Sequence, residues 1–446
     1  MKLIDQIRQA GVVGCGGAGF PTHVKLNAKP EIFIVNGAEC EPLLRTDRYL
    51  MIHESERLVA GVELICEALG ITNGCIALKK TYKEEIAALR ETIARRHSYV
   101  RLHLMDSFYP AGDEQVVVYE VTGKVVPPAG IPLDVGAVVD NVATVIAVYD
   151  AARGIPFTDK YVTVTGEVRE PVVVKVPVGT SVRRCIELAG GPARRDVMVV
   201  MGGPMMGVPM SWDQAMEACI KKTTNGLLIL PEGCAIDRRR QTQLVHILNR
   251  AKSACIQCSY CTQMCPRHML GHPLQPHRIM RRMAACADIK EVLDDPQIRN
   301  AAICSECGIC EVYACPMGLQ PRVVNGYLKG ELAAAGIRYQ KTGETYAADA
   351  NRELRKAPTA RVAARAGVGD YYGISGHGYK EDVPERVTLP LRMHIGAPCQ
   401  PIVSEGDRVE KGQLVAVCPE GKLGADLHAS IAGRVHLTND SIMIEV

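Results

Sequence analysis

Eight cysteines in two short runs carry the clearest chemistry in the sequence. The first run, CIQCSYCTQMCP, supplies Cys255, Cys258, Cys261 and Cys265. The second run, CSECGICEVYACP, supplies Cys304, Cys307, Cys310 and Cys315. Three thiolates spaced as C-x2-C-x2-C can ligate three irons of a cubane, and a further cysteine followed by proline completes a [4Fe–4S] site. The two runs therefore predict two [4Fe–4S] clusters.

The ligands of the two clusters are expected to cross between the runs. In two-cluster ferredoxins the fourth cysteine of each run ligates the other cluster. We define the first thiol set as Cys255, Cys258, Cys261 and Cys315, and the second thiol set as Cys265, Cys304, Cys307 and Cys310. Zinc is the alternative, but four thiolates suffice for zinc, and the third cysteine of each run would then be redundant.

The long spacer between the runs predicts helices. It covers residues 266–303, and its apolar residues recur with helical spacing at Ile279, Met280, Met283 and Ala284. We therefore expect a helical two-cluster domain in place of a compact β-hairpin ferredoxin. Cys286 lies in the spacer without cysteine neighbours at ligand spacing, so a buried thiol is expected there.

A glycine-rich loop upstream could hold an electron-converting cofactor. Clusters move one electron at a time, so a two-electron donor needs a converter such as a flavin. Residues 11–25 read GVVGCGGAGFPTHVK, and a backbone with so few Cβ atoms can approach a phosphate or a flat ring closely. The spacing does not match the G-x-G-x-x-G dinucleotide fingerprint. Composition alone leaves a plain glycine-rich turn equally open.

Three motifs give this loop a family context. They are GGAGFPT followed by Lys25, VNGAECEP over residues 35–42, and DNVAT over residues 140–144. Together they resemble the family that contains the NADH-binding flavoprotein subunit of respiratory complex I and the C subunit of the Rnf complex. The similarity covers nearly the whole chain. Within that family, the chain is most similar to the cobalamin reductases of propanediol-utilisation microcompartments.

The resemblance implies a redox enzyme. Electrons would pass from NADH through FMN and the two [4Fe–4S] clusters to cobalamin, which a partner cob(I)alamin adenosyltransferase would then use. Microcompartment shell or core proteins would be further partners. One alternative is an Rnf-type electron-input subunit of a membrane-associated ferredoxin and NAD oxidoreductase. Another is a non-enzymatic electron-carrier scaffold.

The resemblance also assigns roles to individual residues. In the FMN site, the glycine loop would lie against the ring and the ribityl chain. Lys25 would contact the phosphate or the flavin, and Asn36 would form a hydrogen bond with the flavin. Asn141 and Thr144 would hold the phosphate end. Phe20 would stack on a ring of the dinucleotide, and Glu39 would lie near the cofactor. Glu41, together with Glu114 of PAGDEQ, would be catalytic. A solvated loop is the alternative for Glu39 and Glu41. The loop glycines concerned are Gly14, Gly16, Gly17 and Gly19.

The rest of the chain predicts a multidomain α/β and α+β protein. We expect a Rossmann-like FMN and NADH domain over residues 1–157 and a helical cluster domain over 235–335. Residues 158–230 resemble a soluble-ligand-binding β-grasp (SLBB) module, and 336–385 read as a linker. Residues 386–446 resemble a barrel-sandwich hybrid domain without the Met-Lys-Met tip, so neither biotin nor lipoate is expected. This domain comes first in the Rnf subunit and last here, which favours the cobalamin reductase.

Composition excludes several other classes. The 446 residues carry a net charge of +3 without a long basic run, which gives a nucleic-acid partner no support. No apolar stretch reaches the roughly 18 residues of a membrane span. The N-terminus has charges at Lys2, Asp5 and Arg8 and no apolar core, so we expect no secretory signal. These features predict a cytoplasmic protein without a transmembrane segment, and the resemblance places it in a bacterial microcompartment.

Overall fold

A computed structural model describes residues 1–286, 289–374 and 378–446. Its N-terminal part is a parallel sheet with the strand order β3-β2-β1-β5, flanked by helices, as predicted for a Rossmann-like domain. Strand β1 is buried along most of its length because IFIV packs against helices on both faces. The elements are α1 (Leu3–Gln9), α2 (Thr22–Lys25), β1 (Ile32–Gly37), α3 (Thr46–His53), α4 (Ser55–Leu69), β2 (Gly74–Lys79), α5 (Lys83–Arg95), β3 (Arg101–Met105), β4 (Phe108–Tyr109), α6 (Glu114–Thr122), β5 (Ala137–Asn141) and α7 (Val142–Ala151).

A mixed sheet follows and forms the predicted β-grasp domain. Its strand order is β12-β7-β6-β10-β8-β9, with β10 parallel to β6 and antiparallel to β8. Valine-rich strands and helix α8 enclose its core. Its elements are β6 (Asp159–Gly166), β7 (Val172–Pro177), α8 (Val182–Leu188), β8 (Val197–Met201), β9 (Val208–Met210), α9 (Trp212–Met216) and β10 (Gly226–Pro231), and strand β12 (Gly378–Glu381) joins β7 from far along the chain.

The cysteine-rich region is helical, as predicted. Ile279, Met280 and Met283 are buried on one face of α14, where they pack with Leu328 of α16. A π-helical turn at Cys310–Ala314 takes up the longer spacing of the second cysteine run. The helices are α10 (Ala235–Gln241), α11 (Leu244–Ala254), α12 (Tyr260–Gln263), α13 (Pro266–Met269), α14 (Pro276–Ala285), α15 (Pro296–Arg299) and α16 (Pro321–Ala334).

The segment 336–385, expected as a linker, is attached to the body of the protein at several points. Strand β11 (Ala357–Pro358) pairs with β4, and helix α17 (Thr359–Ala366) packs its apolar face into a core shared with β8 and β10. Arg352 is buried and forms an ion pair with Glu120 of α6. Strand β12 then extends the β-grasp sheet. The alanine- and arginine-rich composition does not predict these contacts, because each partner lies far away in the sequence.

Two small sheets form the C-terminal barrel-sandwich domain. Their strand orders are β13-β19-β18-β15 and β14-β16-β17, and Val387, Val415, Ile442 and Ile444 belong to the core between them. The strands are β13 (Arg386–Pro390), β14 (Gln400–Pro401), β15 (Arg408–Val409), β16 (Leu414–Val417), β17 (Leu427–His428), β18 (Gly433–Leu437) and β19 (Ser441–Glu445). Across the described residues of the whole chain, no helix combines the length and apolar character needed to cross a membrane.

Candidate functional site

A cavity of about 590 Å³ lies where the flavin, β-grasp and cluster domains meet. The glycine loop forms one wall, and the carboxyl ends of β1 and β5 form the floor, the usual position for a ligand on a parallel sheet. The loop between β8 and β9 and residues Ser305 and Cys307 complete the lining. We call this space the central cavity. Its size is in the range of small-molecule and cofactor sites.

The glycine loop is held in a fixed shape by its own backbone and by its neighbours. The Gly14 amide donates to the Phe20 carbonyl at 2.9 Å, and the Cys15 amide donates to Thr144 Oγ1 at 2.9 Å. A Cβ on Gly16 would lie 2.9 Å from Asn141 Nδ2, whereas a Cβ on Gly17 would meet no atom within 4 Å. The loop therefore leaves open the space beside Gly17, which lines the cavity.

Gly19 is needed because another domain approaches the loop. Its φ of +77° is in the left-handed region, and a Cβ there would lie 2.9 Å from Thr223 and 3.0 Å from His394. The Ile395 amide also donates to the Ala18 carbonyl at 3.2 Å. The C-terminal domain therefore packs directly against the glycine loop. Phe20 lines the central cavity with 39% of its surface exposed.

Lys25 lies between two carboxylates in the central cavity. Its Nζ is 2.8 Å from Glu114 Oε1 and 3.6 Å from Asp140 Oδ1. Burial alone would lower the pKa of Lys25, but the two acids outweigh it and raise the pKa. Burial raises the pKa of Asp140 to about 6 although Lys25 opposes it. Asp140 Oδ2 is buried without a hydrogen-bond partner among the described residues.

Glu41 faces the β-grasp domain across the cavity. Its Oε2 accepts a hydrogen bond of 2.9 Å from the Met205 amide, and its Oε1 is buried without a partner in the described part of the chain. A Cβ on Gly203 would lie 2.2 Å from Glu41 Oε2, so only glycine leaves room for this carboxylate. Burial raises the pKa of Glu41 to about 7, although amide hydrogen bonds from Met205 and Met206 oppose the shift.

Glu39 lies beside the central cavity but does not line it. Its Oε2 accepts a hydrogen bond of 3.2 Å from the Asp47 amide. Burial and then the charge of Asp47 raise its pKa well above the usual range. Neither Glu39 nor Glu41 is the freely solvated side chain of the alternative interpretation, because both carboxylates accept hydrogen bonds from buried backbone.

The asparagines and Thr144 are already engaged with the protein. Asn36 Nδ2 donates to the Gly112 carbonyl at 2.9 Å, and Asn36 Oδ1 accepts from the Ala38 amide. Asn141 caps α7 through Oδ1, while its Nδ2 donates to Asp47 Oδ2 at 2.6 Å. Asn36, Asn141 and Thr144 all line the central cavity, and a ligand can use only the hydrogen-bonding positions that the protein leaves free.

Four polar residues in or beside the central cavity were not predicted from the sequence: Asp140, Thr223 and Asn225 line it, and Asp47 contacts its lining residue Asn141. Asp47 and Asp140 bear buried carboxylates but belong to no recognised catalytic motif, although Asp140 opens DNVAT. Thr223 and Asn225 line the cavity from the β-grasp domain, and only the tertiary fold brings them there. Of these four residues, only Asp140 could have been predicted, because a polar residue at the end of a buried parallel strand often lies at a ligand site.

The eight cluster cysteines assemble into the two predicted sets. The four thiols of the first set line one small cavity. In the second set, burial and the nearby Cys265 and Cys304 raise the pKa of Cys307, and burial, Glu311 and then the set partners raise that of Cys310. In the first set, burial and then Cys315, Cys255 and Cys258 raise the pKa of Cys261 to about 12. The crossed grouping is thus the one that the fold brings together.

The surroundings of the thiols suit cubane ligation. The Leu319 amide points at Cys315 Sγ at 3.3 Å, and the Glu306 amide points at Cys304 Sγ at 3.4 Å. Hydrogen bonds to sulfur are among the features that tune iron–sulfur clusters. Among residues 1–286, 289–374 and 378–446, no three His, Cys, Asp or Glu side chains converge on a single-ion position.

The two thiol sets differ in their position. Cys307 of the second set lines the central cavity, and Cys265, Cys307 and Cys310 are buried. In the first set, Cys258 is exposed and the other three are half-buried. The second set therefore adjoins the flavin side, and the first set lies at the surface.

The central cavity also fits FMN. Orphaned carboxylate oxygens on Glu41 and Asp140 offer acceptors for the N–H and hydroxyl groups that a flavin ring and ribityl chain carry. The open space beside Gly17 gives a flat ring close access to backbone. When bound, FMN would be held by the glycine loop, Lys25 and the N-terminus of α7, and Cys307 would be its neighbour across the cavity.

Family profiles match four segments of the chain. They are the Nuo51 FMN-binding domain over residues 7–150, the SLBB domain over 161–209, a 4Fe-4S dicluster domain over 254–320 and the RnfC barrel sandwich hybrid domain over 379–444. The chain thus has an FMN-binding domain and a domain for two [4Fe–4S] clusters, as the sequence predicts. The barrel-sandwich match also begins within the segment expected as a linker.

Three curated relatives align with the chain. It is 41% identical over 442 residues to the cobalamin reductase PduS of Citrobacter freundii, covering 99% of this chain and 95% of the relative. It is 41% identical to the Salmonella typhimurium cobalamin reductase PduS, covering 100% and 96%. It is 36% identical over 274 residues to the C subunit of the proton-translocating ferredoxin:NAD(+) oxidoreductase complex of Clostridium ljungdahlii, covering 60% and 56%.

Proposed function

The chain belongs to the family of the cobalamin reductase PduS, and from that premise we propose that it transfers electrons from NADH to cobalamin. The observation that carries the proposal is the shared lining of the central cavity. Glycine-loop residues, the acids Glu41 and Glu114, and the cluster ligand Cys307 all face the same space. A donor site and a cluster ligand therefore meet without an intervening domain.

The two cofactor types divide the redox work. FMN, when bound, accepts a hydride and releases electrons singly, and [4Fe–4S] clusters conduct single electrons. The protein's own part is to orient the donor and the flavin, to exclude water and to set the charge around them. Buried acids and Lys25 at the central cavity are suited to that part because their charges are only weakly screened there.

We propose specific roles for the two acids predicted as catalytic. Glu41 has one orphaned oxygen and a pKa near neutrality, so it can accept a hydrogen bond from the donor's carboxamide or from the flavin ring. Glu114 sets the position of Lys25, and Lys25 then provides the positive charge near the flavin or its phosphate. Phe20 offers an exposed ring against which a base can stack.

The remaining site residues complete the proposed flavin pocket. Gly14, Gly16, Gly17 and Gly19 give the loop its close approach to the ring. Asn36, Asn141 and Thr144 hold that loop and its floor in position, and Glu39 anchors Asp47 beneath them.

The burial of the thiols supports one direction of electron flow. Electrons enter the second thiol set, which adjoins the central cavity, and leave from the first thiol set at the surface. Each proposed domain has a part in this path. Residues 1–157 bind the donor and the flavin, and residues 235–335 bind the clusters. Residues 158–230 and 386–446 enclose the flavin site.

We further propose a partner and a place for this reaction. Cobalamin in its lowest oxidation state is the substrate for adenosylation, so an adenosyltransferase that traps the product would draw the equilibrium forward. The reaction would take place in the cytoplasm, inside or beside a bacterial microcompartment. The resemblance to propanediol-utilisation proteins supports this location.

An Rnf-type role is the second candidate. The observations in its favour are the 36% identity to the Clostridium protein and the RnfC-type C-terminal domain. That relative aligns over only 60% of this chain, whereas the cobalamin reductases align throughout. A passive electron-carrier scaffold is a third candidate, and bleaching of bound flavin by NADH would exclude it.

A competition between acceptors tests the proposal. Anaerobically purified holoprotein receives NADH and either aquacobalamin or a ferredoxin, and the visible spectrum of each acceptor is followed. We expect cobalamin to be reduced to the Co(II) form and the ferredoxin to be reduced slowly. Rapid reduction of ferredoxin without reduction of cobalamin would support the Rnf-type function instead.

A further inference from the structure

A second concave site lies beside the first cysteine run and is distinct from the central cavity. It is an open groove of about 590 Å³ whose lining includes Tyr260, Met264, Tyr313, Pro316, Arg361 and Arg365. We name it the exit groove. Resting on the proposed function, we propose that the exit groove is the binding site for the corrinoid acceptor.

The position of the exit groove suits electron delivery. Pro316 lines both this groove and the small cavity formed by the first thiol set. Tyr260 lies between the ligands Cys258 and Cys261 in sequence, and Cys258 is itself exposed. An acceptor in the groove would therefore lie next to the first thiol set, because Pro316 borders both spaces.

The apolar part of the groove suits a flat macrocycle. Tyr260 lines the groove and leaves 54% of its surface exposed, so its ring is available to a ligand. Tyr313 and Met264 are half-buried beside it. Aromatic rings and a polarisable thioether can pack against the face of a corrin ring without requiring directional hydrogen bonds.

The charged part of the groove suits the rim of the same ligand. Arg361 and Arg365 are one turn apart on α17, both are exposed, and neither has an ion pair among the described residues. Guanidinium groups donate to phosphate and to amide oxygens. Cobalamin carries carboxamide side chains around its ring and one phosphodiester, so two unpaired arginines at one edge match its chemistry.

The concave shape favours a small molecule over a protein. Cofactor sites are typically concave and of about 300–1,000 Å³, whereas a stable protein interface needs roughly 800 Å² from each partner. A redox protein docked on this face is therefore the alternative outcome of the test below.

The electron count is consistent with an open groove. Each cob(III)alamin takes one electron to become cob(II)alamin, and aquacobalamin loses its axial water in that step. One NADH supplies two electrons and becomes NAD⁺ with release of a proton. Two acceptor molecules must therefore be reduced for each NADH, and an open groove lets the first leave before the second binds.

The test is a binding measurement on the oxidised holoprotein. Equilibrium dialysis with aquacobalamin, without NADH, is performed on wild type, on the double variant Arg361→Glu/Arg365→Glu and on Tyr260→Ala. Because no NADH is present, a defect at the flavin site cannot produce the result. The double variant Lys83→Glu/Arg90→Glu on α5 is the matched control, since it makes the same change of charge on another exposed helix.

We expect the dissociation constant for cobalamin to rise at least tenfold in both groove variants and to stay unchanged in the control. The KM for cobalamin should rise in parallel when NADH is then added. Unchanged affinity and KM in both groove variants would overturn the exit groove as the corrinoid site. Loss of binding to a ferredoxin or adenosyltransferase with normal affinity for cobalamin would also overturn it and would identify a protein-docking face.

The groove and the proposed function fail separately. If wild type reduces cobalamin and both groove variants bind it normally, the proposed function stands and the cobalamin site lies elsewhere. If wild type binds cobalamin in the groove but does not reduce it with NADH, the binding site stands and the proposed function is wrong. The absorbance of flavin and clusters verifies that each variant is intact.

Discussion

Arg267 Nη1 lies 2.7 Å from Asp113 Oδ1, and both side chains are about nine-tenths buried. Asp113 caps α6 beside the central cavity, whereas Arg267 follows the predicted cluster ligand Cys265 by two residues. The pair therefore connects the loop that carries Glu114 to the loop that carries Cys265. Tyr109 adds a second link, because its hydroxyl donates to the Cys307 carbonyl at 2.6 Å.

Removing one partner of this ion pair should loosen the junction between flavin and cluster domains. In Arg267→Met, the Asp113 carboxylate remains buried without its cation, a change that costs about 3–5 kcal/mol. We expect hydrogen exchange at the start of α6 and at residues 265–271 to accelerate by about 150-fold or more, the factor that about 3 kcal/mol corresponds to. Arg95→Met is the control, because its pair with Glu56 is exposed and contributes under about 1 kcal/mol. Equal protection in Arg267→Met and wild type would contradict the bridging role.

Gly17→Ala should separate folding from FMN binding. The added methyl group meets no protein atom within 4 Å, so the fold should be unchanged, but the methyl would enter the space that we propose for the flavin ring. We expect FMN retained after gel filtration to fall about tenfold, since misfit of even one methyl group in a packed site is unfavourable. The fluorescence of the extracted flavin measures how much FMN each protein retains. Gly330→Ala in α16 is the matched control, and retention equal to that control would argue against the loop as the flavin site.

Glu41→Gln should change how stability depends on pH. The pKa of Glu41 is about 7 in the folded protein and about 4.5 when exposed, so the folded state holds a proton that the unfolded state releases between these values. Wild type therefore loses stability as pH rises from about 4.5 to about 7, by about 3 kcal/mol in total. Glutamine keeps an acceptor for the Met205 amide but does not ionise. We expect the variant's thermal midpoint, relative to wild type, to rise over this pH range, and a constant difference would contradict the buried acid.

Two cysteine substitutions should remove different clusters. Cys261→Ala lies in the first thiol set and Cys265→Ala in the second, although both positions belong to one sequence run. We expect each variant to fall from about eight to about four irons per chain. Their electron paramagnetic resonance spectra should lack different signals. Cys286→Ala, outside both sets, should keep both clusters. Loss of the same signal in both variants would show that the ligands do not cross.

The sequence predicted the parts of this protein that are encoded locally. The spacing of the cysteines was sufficient to predict the two thiol sets, and the periodicity of Ile279, Met280 and Met283 was sufficient to predict helix α14. The packing of His394 against Gly19 and of Gly203 against Glu41 could not be predicted, because each joins residues more than 150 positions apart. Asp47 was not predicted for a related reason: it lies in helix α3, its partner Asn141 lies at the end of β5, and no local pattern marks the pair.

Electron transfer from NADH to cobalamin can be measured by an anaerobic titration of aquacobalamin with NADH in the presence of catalytic holoprotein. We expect two Co(II) cobalamins to form for each NADH consumed, as measured by their absorbance. Adenosylcobalamin should appear only after an adenosyltransferase and ATP are added. NADH consumption without any Co(II) product, while the same protein rapidly reduces a ferredoxin, would contradict the assignment.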